Sequence, residues 1–169
     1  MKLINLPFIA SQAIKNEQEN IAFRQFLKYQ NGDIVDEVLA PIAQKYTTQI
    51  NCTQCGNCCK NIMITADITE VTTIANKLQI PLSQCKTQYF EASSQSDTLM
   101  INAVPCHFLT NNTCSIYTSR PSACASFPHL HLSGFTRRLF SMLSGYGICP
   151  QIYHSIEALK QHFSFVYKA

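Results

Sequence analysis

Clustered cysteines are the residues of this chain with the clearest potential for chemistry. Four of the nine cysteines fall within eight residues, in the pattern Cys52-x-x-Cys55-x-x-Cys58-Cys59. Thiolates bind soft and borderline metals, and a two-residue spacer lets successive sulfurs turn toward one ion. The pattern therefore predicts a zinc or iron–sulfur site. Four further cysteines that could complete it are Cys106, Cys114, Cys124 and Cys149.

Cys58 and Cys59 add a constraint because they are adjacent. Neighbouring side chains point in different directions in extended or helical backbone, so they rarely chelate the same ion. We therefore expect one member of the pair in each of two ligand sets, and hence two metal sites.

Two other uses of the cysteines stay open. Small secreted proteins often use paired cysteines as a disulfide scaffold, and a single cysteine can serve as a reactive thiol. An export signal would favour the scaffold, but Asn5 and Pro7 interrupt the short apolar run near the start. We therefore expect a cytoplasmic protein, because dense cysteines in a reducing compartment more often hold metal.

Composition limits the remaining classes. A chain of 169 residues with 46% hydrophobic and 14% charged residues is expected to fold as one globular domain. The net charge of +3 is scattered, which argues against a nucleic-acid partner. No apolar segment is long enough to span a bilayer, so no membrane association is expected.

The elements that must position the cysteines are mostly helical. Apolar periodicity predicts one helix over residues 11–29 and a second capped by Asp33, which Pro41 kinks or ends. After the cysteine cluster we expect a strand at 62–64, a helix capped by Asp67 or Thr65, and a helix from Pro81 toward Phe90. Residues 91–97 are predicted as a loop, 98–103 as a strand, and the region after Pro150 as a helix.

A hairpin is predicted between Cys106 and Tyr117. Asn111 and Asn112 tolerate the positive φ of a tight reversal. Cys106 and Cys114 would then approach one another from opposite strands. Together these elements predict a mainly helical α+β fold around a cysteine-rich metal centre.

Several separated motifs carry a family resemblance. They are CTQCGNCC at 52–59, CHFL at 106–109, CSIY at 114–117, Arg120-Pro121, Cys124, Phe127-Pro128 and Cys149-Pro150. This order resembles the CxxCxxCC family of zinc- or iron-chelating cysteine-cluster proteins. The resemblance covers about residues 50 to 150 and leaves residues 1–48 outside.

The resemblance implies that the eight matched cysteines are the metal ligands. We expect Cys52, Cys55 and Cys58 to form one set with Cys149, in the manner of a ferredoxin [4Fe–4S] run, although zinc fits equally well. The expected second set is Cys59, Cys106, Cys114 and Cys124. Arg120 and His107 are expected to support the ligands. Cys85 matches no family cysteine and is expected to be a buried or unligated thiol.

Domain limits and function follow from the same residues. Residues 1–48 are expected to form a helical segment packed on a metal-binding domain at 49–150, and 151–169 its C-terminal helix. The favoured function is metal binding. Two alternatives remain: an iron–sulfur enzyme acting on a protein substrate, as in the related flagellin lysine N-methylases, or a metal-stapled module that binds a protein partner.

Overall fold

The computed structural model describes residues 3–94 and 97–168 of the chain. Its helices are α1 Leu6–Lys15, α2 Glu17–Lys28, α3 Gly32–Gln49, α4 Cys52–Cys55, α5 Asn57–Asn61, α6 Ile68–Leu78, α7 Leu82–Tyr89, α8 Ser122–Ser126, α9 Phe135–Leu143 and α10 Pro150–His162. Its strands are β1 Thr65–Asp67, β2 Phe90–Ala92, β3 Thr98–Ile101, β4 Leu109–Thr110 and β5 Thr113–Cys114. The predicted mainly helical α+β class is confirmed. No helix in the described ranges is both long and apolar enough to cross a bilayer.

The chain forms two compact units. The helical unit comprises residues up to Asn51 together with those from Pro128 onward, and the cysteine unit comprises Cys52–Phe127. The helical unit contains α1–α3, α9 and α10, and the cysteine unit contains the remaining helices and all five strands.

Helix α10 occupies the interior of the helical unit. Ile152, Ile156 and Leu159 lie at helical spacing and are at most 1% exposed. They belong to the helix that packs on α3, whose Leu39 is equally buried. A charged side chain that is buried in an apolar interior requires partners. Lys160, for example, forms ion pairs with Glu19 at 3.0 Å and Glu157 at 2.8 Å.

The prediction of one continuous helix over residues 11–29 is wrong, because the structure has two helices there, α1 and α2. Asn16 ends α1 and begins α2, with φ −99° and ψ 13°. Its amide side chain is buried and donates a hydrogen bond to the hydroxyl of Tyr146 at 3.2 Å. The break is therefore accompanied by a contact with a residue 130 positions away.

The second helix begins at a different cap from the one predicted, and it does not end at Pro41. Asn31, instead of Asp33, caps α3 by accepting hydrogen bonds from the amides of Asp33 and Ile34. Pro41 lies inside the helix, which runs on to Gln49.

Asp36 ties α3 to the start of α9. Its carboxylate accepts hydrogen bonds from the backbone amides of Gly134 and Phe135, the latter at 3.0 Å. These amides lie at the helix N-terminus, where a negative charge is favourable. Asp36→Ala is therefore expected to lower the free energy of unfolding by about 2 kcal/mol, measured by urea denaturation. The exposed neighbour Glu37 is the control, because Glu37→Ala should change stability by less than about 0.5 kcal/mol. Equal effects of the two changes would contradict the assigned role of Asp36.

The cysteine unit is built on a three-stranded antiparallel sheet of order β1-β3-β2. Helix α6 covers an apolar cluster that includes Val71, Ile74, Cys85 and Ile101. The predicted cap Asp67 is confirmed, and α7 follows Pro81 as expected. Cys85 is completely buried in this cluster, so its predicted burial is confirmed.

Strand boundaries in this unit differ from the prediction. The first strand is Thr65–Asp67 and not residues 62–64, because pairing with β3 sets its position: Thr65 lies opposite Met100 and Asp67 opposite Thr98. Residues 90–92 form β2 where part of a loop was predicted. The loop prediction also covers Gln95 and Ser96, which lie outside the described residues.

Candidate metal centre

The CxxC segment turns at a glycine. Gly56 separates α4 from α5 and adopts a left-handed conformation with φ +59°. A side chain at this position would also lie 3.2 Å from the Cα atom of Asn112. Glycine therefore allows the segment carrying Cys55 and Cys58 to lie against the turn of the β4–β5 hairpin.

The predicted hairpin turn is confirmed, but the strands are shorter than predicted and Cys106 lies before β4. Leu109 pairs with Cys114 and Thr110 with Thr113, and both turn residues, Asn111 and Asn112, have positive φ. The backbone amide of Cys106 donates a hydrogen bond to the carbonyl of Cys59 at 2.8 Å. This bond joins helix α5 to the segment leading into the hairpin.

Four thiols of the cysteine unit lie close enough to influence one another's ionisation. Charge on Cys59 raises the pKa values of Cys106, Cys114 and Cys124, and Cys124 is affected by all three of the others. These four cysteines come from α5, the segment before β4, strand β5 and α8. Tertiary structure thus collects four thiols that are up to 65 positions apart in sequence.

Cys58 does not diverge from Cys59 as the adjacency suggested. The two sulfurs lie 4.0 Å apart. Two sulfurs on one tetrahedral ion are separated by about 3.8 Å when the metal–sulfur bonds are about 2.3 Å. Both residues lie in the five-residue helix α5, and their side chains there converge. Adjacency alone therefore does not separate them into two ligand sets.

Cys59 is the most acidic thiol of the group. A hydrogen bond with the Cys58 side chain is the main cause that lowers its pKa to about 6, against burial, and the positive charges of Arg120 and Lys60 contribute. The other three have raised pKa values, chiefly because burial disfavours the thiolate, and Cys124 reaches about 12. At neutral pH the group therefore carries one thiolate and three thiols.

Backbone amides stabilise negative charge on the hairpin sulfurs. The amide of Phe108 hydrogen-bonds to the sulfur of Cys106, and that of Ile116 to the sulfur of Cys114. In both cases the donor lies two residues after the cysteine. Such donors favour the thiolate, which is the form that binds metal.

Arg120 and His107, the two predicted supporting residues, differ in their surroundings. The guanidinium carbon of Arg120 lies 3.7 Å from the centroid of the Tyr117 ring, and its charge lowers the pKa values of Cys59, Cys114 and Cys124. His107 is exposed, and its Nε2 atom hydrogen-bonds with the side chain of Asn102 at 2.6 Å. Arg120 thus acts on the thiols directly, whereas the ring of His107 is engaged elsewhere.

The remaining predicted ligands lie in different environments. Cys52 is exposed and Cys55 is buried, both in α4. Cys149 is buried in the helical unit, where it precedes α10, so the structure assigns it to a different unit from the other seven. Sequence reasoning missed Lys60, Glu70 and the two amide donors. Of these, Lys60 carried a local signal as a charge beside a cysteine, and Glu70 carried one only for the start of α6, three residues after Asp67.

No three His, Cys, Asp or Glu side chains within residues 3–94 and 97–168 are already arranged around one point as metal ligands. Cys58 and Cys59 have neighbouring sulfurs, but in the described part of the chain no third such side chain is arranged with them. Binding one ion through four cysteines therefore requires at least one cysteine side chain to rotate.

These features define a small α+β protein whose candidate site is rich in thiols and lies near the positive charges of Arg120 and Lys60. A family model described as "CxxCxxCC: Putative zinc- or iron-chelating domain" matches residues 51–146. The chain belongs to this family of zinc- or iron-chelating domains. The match ends before Cys149. Searches of curated proteins and of solved structures found no match.

Proposed function

We propose that this protein binds zinc or iron through a ligand set formed by Cys59, Cys106, Cys114 and Cys124. The observation that supports it is the proximity of Cys59 to the other three: its charge raises their pKa values, and its carbonyl accepts a hydrogen bond from the Cys106 amide at 2.8 Å. It agrees with the set expected from the sequence.

The chemistry of the donors suits either metal. Four thiolates form a closed tetrahedral zinc site, and the same donors hold iron–sulfur clusters. Binding leaves a net negative charge, which Arg120 and Lys60 offset from nearby. Zinc would supply a structural crosslink, whereas an iron–sulfur cluster would supply electron transfer.

We also propose a second metal site held by Cys52, Cys55 and Cys58. Its support is the ferredoxin-like spacing of these three cysteines, which all lie in the cysteine unit. The 4.0 Å separation of the Cys58 and Cys59 sulfurs allows Cys58 to serve this second site or to share an ion with Cys59. Stoichiometry distinguishes the two: two ions per chain favour separate sites.

Dense thiols of this kind also favour a reducing compartment, so we propose the cytoplasm as the location. The two alternatives, an iron–sulfur enzyme acting on a protein substrate and a metal-stapled module that binds a protein partner, rank below metal binding. The cysteines of the site favour metal binding over either alternative.

Metal and acid-labile sulfide content, with the visible spectrum, tests the proposed function on protein purified without oxygen. We expect at least one equivalent of zinc or iron per chain. Zinc without sulfide would assign a structural or chelating role. Iron with sulfide and broad visible absorption would assign a cluster and direct attention to redox chemistry. Absence of both metals after reconstitution would contradict the proposal.

A further inference from the structure

Glu70 bridges two elements of the cysteine unit. It lies in the first turn of α6, and its Oε2 atom accepts a hydrogen bond from the backbone amide of Asp67 at 3.0 Å. This bond belongs to the capping box that begins the helix. Its Oε1 atom accepts a second hydrogen bond from the backbone amide of Ser122 at 2.7 Å, 52 residues away. One carboxylate thus holds the start of α6 and the start of α8.

Helix α8 needs such an anchor. It has five residues, and a helix this short is not stable by itself because its nucleation costs more than its few hydrogen bonds return. Cys124 is its third residue, and the Cys124 amide donates a hydrogen bond to the carbonyl of Pro121 in the preceding turn at 2.9 Å. The position of the Cys124 sulfur therefore depends on what holds residues 121 and 122.

Helix α6 is a rigid base for this anchor. Val71 and Ile74 are completely buried, and the helix is closed at its start by the reciprocal bonds of Asp67 and Glu70. A carboxylate on the first turn of a well-packed helix has few alternative positions. Glu70 can therefore hold the start of α8 in a fixed position relative to α6.

We propose that Glu70 is a positioning residue for Cys124 in the metal site. This inference rests on the proposed function, in which Cys124 is a ligand. A carboxylate suits the task because it offers two acceptor oxygens to two amide donors. Glutamine has one acceptor oxygen and a donor group in place of the second, so it can serve only one of the two amides.

Cobalt binding to the full-length chain tests the proposal, because thiolate-to-cobalt charge-transfer absorption reports how many sulfurs reach the ion. Glu70→Gln is expected to weaken cobalt affinity by about 10- to 100-fold and to reduce this absorption per bound ion. Asp67→Ala is the matched control. It removes the other half of the capping box and leaves the Ser122 bond in place, so it should lower stability while keeping the affinity and the absorption.

Ser122→Pro tests the same bond from its other end. Proline removes the amide that Glu70 accepts, and it is tolerated at a first helical position. Pro121 already has the extended conformation, φ −53° and ψ 150°, that a following proline requires. We expect the same loss of affinity as for Glu70→Gln, whereas Ser122→Ala, which keeps the amide, should behave as the unmodified chain.

Three outcomes distinguish a failure of the role of Glu70 from a failure of the proposed metal-binding function. Unchanged cobalt affinity and absorption in Glu70→Gln and Ser122→Pro, with strong thiolate absorption in the unmodified chain, would overturn the role of Glu70 alone. Loss of affinity in Asp67→Ala equal to that in Glu70→Gln would also overturn it, since Glu70 would then act only by stabilising α6. Absence of thiolate absorption in the unmodified chain would overturn both.

Discussion

Cys114→Ala is expected to lower metal affinity by roughly 100-fold or more. Structural zinc in small thiolate sites has an apparent binding energy of about 10–16 kcal/mol, so one of four thiolates is worth about 3 kcal/mol. Cys114 lies in strand β5, where pairing with Leu109 holds the backbone. The loss should therefore come from the missing ligand and not from a displaced strand. Competition with a chelator of known affinity measures the change, and the metal content of the purified variant supports it.

Cys85→Ala is the matched control for Cys114→Ala. It removes a thiol from the same unit, but Cys85 is buried in the apolar cluster under α6 and its sulfur lies 3.9 Å from the carbonyl oxygen of Val71. We expect reduced stability from the small cavity and unchanged affinity. Metal content that is unchanged in Cys114→Ala would exclude Cys114 from the ligand set.

Metal affinity is expected to rise steeply with pH, by roughly 1000-fold per pH unit between about pH 6 and pH 9. Each ligand thiol that is protonated before binding must release its proton, and each released proton contributes a factor of ten per pH unit. Cys59, with a pKa of about 6, is already a thiolate in this range. Cys106, Cys114 and Cys124 have pKa values raised above that of an ordinary cysteine, so all three release protons on binding.

The sign and the limits of this dependence follow from the same pKa values. Affinity rises with pH because alkali removes the competing protons. Below about pH 6 Cys59 is also protonated, so the slope should steepen to roughly four protons per ion. Chelator competition at half-unit pH steps measures the slope. A slope near one proton per ion between pH 6 and pH 9 would show that Cys106, Cys114 and Cys124 do not all bind the ion.

This slope also reports whether the metal-free chain keeps its fold. In an unfolded chain all four thiols would have ordinary pKa values near 8.5 and would release about four protons at pH 7. A slope of three in the neutral range therefore indicates a site in which Arg120, Lys60 and Cys58 already keep Cys59 ionised. The Cys85→Ala variant should reproduce the slope of the unmodified chain.

Local patterns in the sequence were sufficient for several elements. The Asp67 cap, the helix after Pro81 and the hairpin around Asn111 and Asn112 each depend on residues within a few positions of one another. Caps and tight turns are satisfied by their own neighbourhood, so their residue types identify them. Family membership was predictable for a similar reason, because it depends on short motifs in a set order.

Features that depend on distant residues were not predictable in this way. The break at Asn16 is accompanied by a hydrogen bond to Tyr146, and the position of β1 is set by its pairing with β3. The anchoring of α8 by Glu70 joins residues 52 positions apart. In none of these three pairs does a periodicity or spacing in the sequence connect one member to the other.

The features of the candidate metal centre fall into the same two groups, those that depend on local sequence and those that depend on distant residues. The sequence identified the thiols, their two-residue spacing and the turn at Asn111 and Asn112. The packed chain was needed to show that Cys59, Cys106 and Cys114 raise the pKa of Cys124, that the Cys58 and Cys59 sulfurs lie 4.0 Å apart, and that Arg120 lowers the pKa of Cys59. The physical reason is that thiol chemistry is a property of each residue, whereas ligand grouping and charge depend on distances that only the packed chain defines.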